Sequence, residues 1–338
     1  MNRAYRLALI ILFAVVLISA GVFLYTQKST NSVRMYTADA YTGEAEFLLN
    51  EFHNQTGIPV EPPVSGGAYT DAREISMGSP ASVFISVALN AYTPQFMGTH
   101  SPQWALAFAS DSMVLAYSNL TDKHDVNSIV NTFKEAYSSN SSTLYRFAFD
   151  NLTNGSVKIG ISDPISDPAG ARAWIVLEIA GQLLDNSISY FSSRVVEHNA
   201  NVTASNAADL ISPLQDGQIQ FLFIYRSAAI TKGLPFIQLN DTFNLGNASL
   251  SGFYSGFQYT FNGQVFTGSP VLLYASVPSN ESTEELGIHF MEFLLNNTDP
   301  LSGFGLKPLR TMILYGSSPP GPIEWGISRG IIEWGGSL

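Results

Sequence analysis

Short unbroken apolar runs, each emptying into a loop and then a helix start, restrict this chain more than any other feature. Residues 33–37, 58–64 and 82–86 read as strands. Between the first two lies a helix with Ala45, Leu48, Leu49 and Phe52 on one face, and before the third a helix containing Ala72 and Ile75. Strands that do not alternate are buried on both faces, so the pattern predicts an α/β chain with a parallel sheet sandwiched by helices. Further apolar strands fall at Met113–Tyr117, at Ile159, and at residues 220–225 and 271–277. At 338 residues there is material for two lobes. We divide the chain into 1–33, a membrane anchor or signal segment with its tether; 34–117, the first part of one lobe; 118–268, a second lobe; and 269–338, the return to the first lobe and a C-terminal tail. In open α/β sheets ligands bind where strands run into helix starts. Two lobes joined by crossing strands place two such edges across a cleft that closes by hinge motion.

Residues 7–25 carry no charge, with Arg3 and Arg6 before them and Lys28 after. At 1.5 Å per residue that stretch spans roughly the 30 Å of a bilayer core, and the leading arginines keep the N-terminus inside. The body then faces outward, on the extracellular side of the cell membrane. A cleaved leader is the competing reading, with a site near Ala20. There is no cysteine, which excludes disulfides, thiolate ligands and a cysteine-linked lipid. Asn-x-Ser/Thr triplets, Asn54 and Asn119 among them, would be glycan acceptors at that address. The formal net charge of −11 argues against a nucleic-acid partner. Only 13% of residues are charged, an economy that suits an acidic medium in which carboxylates carry protons.

One helix start is unusually well specified. Asp167 is a good N-cap, Pro168 suits the first helical position, and Ala169, Gly170 and Ala171 add no bulk around the first-turn amides. Unpaired N–H groups and about half a positive charge make such an end an anion site, although the same residues also make an ordinary capped helix. Enzyme signatures are weak. The five histidines occur singly without metal-ligand spacing, and no nucleophile elbow, phosphate loop or dinucleotide fingerprint stands out. Asp163 and Asp167 flank a proline turn and would serve a hydrolase only if they were more than turn caps. Binding rather than catalysis is the expectation, with no cofactor.

The segments from Gly160 to Arg172, from Phe221 to Ser227, from Met113 to Tyr117 and from Phe236 to Gly246 resemble those of archaeal tungstate/molybdate-binding proteins of ABC importers, in the same order and at similar spacing. The resemblance runs from about residue 34 to about 310. It implies a two-lobed type 2 periplasmic-binding fold, preceded here by the N-terminal transmembrane helix, a small oxyanion held in the cleft, and a membrane permease as partner. Matched position by position, it implies ligand contacts at Asp167, Ala169 and Gly170, at Tyr225 and at Ser86. Two loops that offer a serine in the family have Ala40 and Ala68 instead, with Thr42, Ser65 or Thr70 as substitutes. Where archaeal members place a glutamate before the tyrosine, this chain has Ile224. That favours hydrogen-bonded tetrahedral binding and leaves sulfate or phosphate open beside molybdate and tungstate. A surface receptor or structural glycoprotein on the same fold stays open as well.

Overall fold

The computed structural model describes residues 32–120, 124–279 and 282–338. The apolar segment at residues 7–25 lies outside them; among the described residues no helix is long and apolar enough to cross a membrane.

The first lobe is built on a seven-stranded sheet. In chain order its strands are β1 (Met35–Ala38), β2 (Val64–Gly66), β3 (Val83–Ser86) and β4 (Trp104–Ser110), joined later by β12 (Leu272–Ser276), β13 (Lys307–Gly316) and β14 (Ile332–Gly336). Their spatial order is β14-β13-β4-β12-β3-β1-β2. The second lobe has a five-stranded sheet in the order β7-β6-β8-β5-β9, made of β5 (Met113–Tyr117), β6 (Ile159–Gly160), β7 (Asn201–Val202), β8 (Phe221–Tyr225) and β9 (Phe236–Gln238). A hairpin, β10 (Gln258–Phe261) and β11 (Gln264–Thr267), lies apart and is fixed by Tyr259 stacking on Trp174 at 4.9 Å.

The sheets are mixed rather than purely parallel. β1 pairs parallel with β2 and β3, as the strand-helix-strand pattern requires. The chain leaves the first lobe along β4 and re-enters along β12, so these two run antiparallel, with Leu272 opposite Ser110. Met113–Tyr117 lies wholly in the second sheet, antiparallel to β8 and β9, and the crossing itself falls two residues earlier, at Asp111 and Ser112. There the outgoing and returning strands are tied, since the Asp111 N–H donates to the Val271 carbonyl at 2.9 Å. The tail is also structured. β13 and β14 extend the large sheet, and Gly316, at φ 95°, packs where an added Cβ would lie 2.1 Å from the Gln103 carbonyl oxygen.

Aromatic packing holds the helices down. Phe52 of the Thr42–Thr56 helix meets Phe290 and Phe293 of the Glu284–Leu294 helix at 5.4 and 5.5 Å, and all three rings are buried. Each contributes on the order of 1.5–3 kcal/mol through burial. The Pro168–Asp185 helix is buried on nearly every side over its first fourteen residues and ends at Asn186, whose left-handed φ of 57° lets the chain turn away.

Candidate functional site

Between the lobes lies a chamber of about 280 Å³. α-Helices from both lobes begin at its wall: Thr42–Thr56 and Ala68–Ser76 from the first, Pro168–Asp185, Ile211–Gln215 and Arg226–Thr231 from the second. Of the residues expected to hold a ligand, Ala40, Ala68, Asp167, Ala169 and Tyr225 line it, and so do the substitutes Thr42 and Ser65. Thr42 Oγ1 donates to the Asp39 carbonyl oxygen at 2.9 Å and lies 2.9 Å from Ser65 Oγ, which puts a pair of hydroxyls near Ala40 and Ala68. Thr70 and the two remaining expected residues, Ser86 and Gly170, are not in the wall.

Gly170 requires a different account. Its amide donates to the Asp167 carbonyl at 3.1 Å, and an added Cβ would lie 2.0 Å from the Ser162 carbonyl oxygen. The glycine is there because the helix packs against the preceding loop, which leaves no room for a side chain. Ser86 is buried at the end of β3, where its Oγ accepts the Ala88 N–H at 3.1 Å and turns the backbone so that Val87 reaches the chamber.

The anion-ready helix end is already occupied. Asp167 Oδ1 accepts the Ala169 N–H at 2.9 Å, and Oδ2 accepts the Ala207 N–H at 2.8 Å from the loop alongside. The amide expected to face a bound ion therefore faces the protein's own carboxylate, which does what an N-cap does. The Ala68 helix differs, because its N-cap is Gly67 and no side chain caps it. Its first-turn donors remain available.

Charges meet across the cleft. Asp39, from the first lobe, has its carboxyl raised to about 6, by burial first and then by the negative charge of Asp167 opposite; Lys232 at the chamber wall works the other way. The Asp167 carboxyl is also raised, burial outweighing the two amides it accepts. Deeper in the second lobe, Arg172 is buried and turned toward the first. Its Nη2 donates to the Val87 carbonyl at 2.8 Å and its Nη1 to the Tyr225 hydroxyl at 2.5 Å. Because Arg172 fills an acceptor position on that hydroxyl, the Tyr225 proton is left to donate. Burial opposes the guanidinium charge, but Tyr225 beside it holds the group protonated.

At the hinge, Asp111 is fully buried and collects four donors: the Ser227 hydroxyl at 2.5 Å, the Ser112 N–H at 2.7 Å, the Tyr41 hydroxyl at 3.2 Å and the Ser227 N–H at 3.3 Å. Tyr41 belongs to the first lobe and Ser227 to the second. Asp111 thus joins both at the point where the chain crosses.

Asp39, Arg172 and Asp111 had been given no role from sequence. For Arg172 the signal existed, since an arginine between Ala171, Ala173 and Trp174 has to find partners inside the protein. Asp163 accepts the Ile165 N–H at 2.8 Å and caps its turn, as Asp167 caps the helix, so the two carboxylates have structural work of their own.

The family described as bacterial extracellular solute-binding protein matches residues 33–298. An uncharacterised solute-binding protein of Sulfurisphaera tokodaii is 35% identical over 323 residues, covering 92% of this chain and 85% of that protein. Among solved structures, the periplasmic molybdate-binding protein of Azotobacter vinelandii superposes with a TM-score of 0.53 at 17% identity, over 81% of this chain and 98% of that one. The sulfate-binding protein of Mycobacterium tuberculosis gives 0.53 at 12% identity, over 90% and 94%. At such identities the two structures speak for the fold alone.

Proposed function

This chain belongs to the bacterial extracellular solute-binding protein family, and from that premise we propose that it captures a small solute by an oxyanion group in the chamber between its lobes and delivers it to an ABC permease. The family is one of solute-binding proteins and not of enzymes. The observation that carries the reading is the enclosed chamber of about 280 Å³ with helix starts from both lobes in its wall. Its donors are the open first turn of the Ala68 helix, the Ser65 hydroxyl beside Thr42, the Tyr225 hydroxyl and the Lys232 ammonium. Molybdate or tungstate is the ligand implied by the sequence resemblance. In favour of it stand the hydroxyl pair and the absence of a carboxylate at Ile224; against it stand the alanines at 40 and 68 and the engaged Ala169 amide. The N-terminal apolar segment would hold the receptor at the outer membrane face.

For an inorganic anion, acid should help. Below about 6 the Asp39 carboxyl carries a proton and changes from a repelling charge to a donor. Titration calorimetry of the full chain in mild detergent, with molybdate, tungstate, sulfate, phosphate and simple carboxylates at several pH values, tests the proposal. Micromolar binding of any of them corresponds to about 8 kcal/mol. Failure of all of them between pH 3 and 7 would overturn it.

A further inference from the structure

The chamber is larger and less polar than an inorganic ion requires. At about 30 Å³ per water, 280 Å³ has room for roughly nine waters, whereas a tetrahedral ion with four oxygens fills on the order of half of that. Much of the wall is aliphatic and small, with Ala40, Ala68, Ala207, Ala228, Ile211 and Ile224. Such a wall gains from an apolar body placed against it and gains nothing from an ion.

The polar groups are also of two kinds. The Ala68 helix, capped only by Gly67, offers open first-turn amides that suit a carboxylate. The Pro168 helix offers none, because Asp167 already takes the Ala169 N–H. What that side of the chamber presents instead is a pair of carboxyls, Asp167 from one lobe and Asp39 from the other, close enough to act on each other and set against the ammonium of Lys232. A lone anion meets that pair as repulsion, while an ammonium between them relieves it.

Resting on the reading of the chamber as the solute site, we propose that the solute is an α-amino acid with a short aliphatic side chain. Its carboxylate sits on the open start of the Ala68 helix, its ammonium between Asp39 and Asp167, and its side chain against the alanine and isoleucine wall.

Calorimetry of the full chain in mild detergent tests this with valine, with the matching 2-keto acid, which keeps the carboxylate and loses the ammonium, with isobutylamine, which does the reverse, and with molybdate. The expected result is micromolar binding of valine, with the keto acid and the amine at least 30-fold weaker. Equal binding of the keto acid overturns the amino-acid assignment and leaves the oxyanion reading standing, as does binding of molybdate without valine. If neither valine nor any anion binds, both fall. The pH dependence supplies a second readout on the unaltered protein. Asp39 faces Asp167, Asp209, Lys232 and the buried Asp71 of the Ala68 helix, and its carboxyl loses its proton near pH 6. Valine affinity should rise as pH passes upward through that value, opposite to an inorganic anion, and a fall would overturn the assignment. Asp39→Asn should weaken valine at least tenfold while leaving the keto acid unchanged or tighter. Equal loss of both would overturn the assignment as well.

Discussion

The guanidinium of Arg172, in the second lobe, reaches across the cleft to the Val87 carbonyl of the first at 2.8 Å, and its other arm holds the Tyr225 hydroxyl. Val87 and Tyr225 both line the chamber, so one buried cation ties the lobes at the wall of the solute site. Gly67 and Ser166 also approach across the same gap, where a Cβ on the glycine would lie 3.9 Å from the Ser166 carbonyl oxygen. Both approaches bring the two lobes together around the chamber.

Replacing Arg172 with methionine should therefore favour the open form. It keeps length and apolar contact but leaves the Val87 carbonyl and the Tyr225 hydroxyl without their donor. A charge-assisted bond contributes about 1.5–3 kcal/mol, so affinity for whichever solute binds should fall on the order of 10- to 100-fold. Small-angle scattering should report a larger radius of gyration. An unchanged radius and affinity would mean that other contacts hold the lobes together.

Gly170→Ala should lower stability without a specific effect on the solute. The new Cβ would meet the Ser162 carbonyl at 2.0 Å, and backbone atoms have little freedom to retreat. A loss of about 1–3 kcal/mol is expected, read as a lower urea midpoint with affinity retained in the folded fraction. A stable variant with weakened affinity would restore the glycine to the binding site.

Asp111→Ala should be the more damaging hinge substitution, and Tyr41→Phe the milder. The first strands the Ser227 and Tyr41 hydroxyls and two amides inside the protein, while the second removes one donor from a carboxylate that keeps three. At about 1–3 kcal/mol for each stranded group, Asp111→Ala should cost at least about 4 kcal/mol and Tyr41→Phe about 1. Urea unfolding of the two variants checks the ranking, and equal losses would refute it.

Stability should decline as pH rises toward 8. Asp71 and Glu44 are buried, and burial, the first cause in each case, raises their carboxyls to about 8 and about 7. Neither Glu44 oxygen has a partner on another residue among the described residues. A carboxyl raised on folding binds its proton more tightly in the native state. It therefore adds stability that is fully present below the unfolded value and is lost as pH climbs through the folded one. The windows run from 3.8 to about 8 for Asp71 and from 4.5 to about 7 for Glu44, with slopes of up to about 1.4 kcal/mol per pH unit each. Thermal melts between pH 4 and 8 should show the fall, and Glu44→Gln with Asp71→Asn should flatten it. A flat profile in the parent chain would show that these groups ionise freely.

Much of the fold was legible because the apolar strands and their helix starts obey local rules. The parallel β1 neighbours follow from them. What no local rule reports is where a strand finds its partners: Met113–Tyr117 reads as an apolar strand closing the first part of the first lobe, yet its pairing with β8 and β9 puts it entirely in the second sheet. The tail is non-local in the same way, since β13 pairs with β4, about two hundred residues earlier in the chain. In the site, the Asp167 helix start could be read as a place for negative charge, but its sequence could not say whose charge. Ala207, forty residues on, supplies the second hydrogen bond that holds Asp167 there. The Arg172 link to Val87 spans eighty-five residues and leaves no periodic trace.

Since Asp167 fills the mouth of its own helix through two internal hydrogen bonds, that lobe turns no bare positive pole toward the chamber. On the proposed delivery to a permease, release at that helix would need no substitute counter-ion, and parting the lobes at the Arg172–Val87 contact would be the step that opens the chamber.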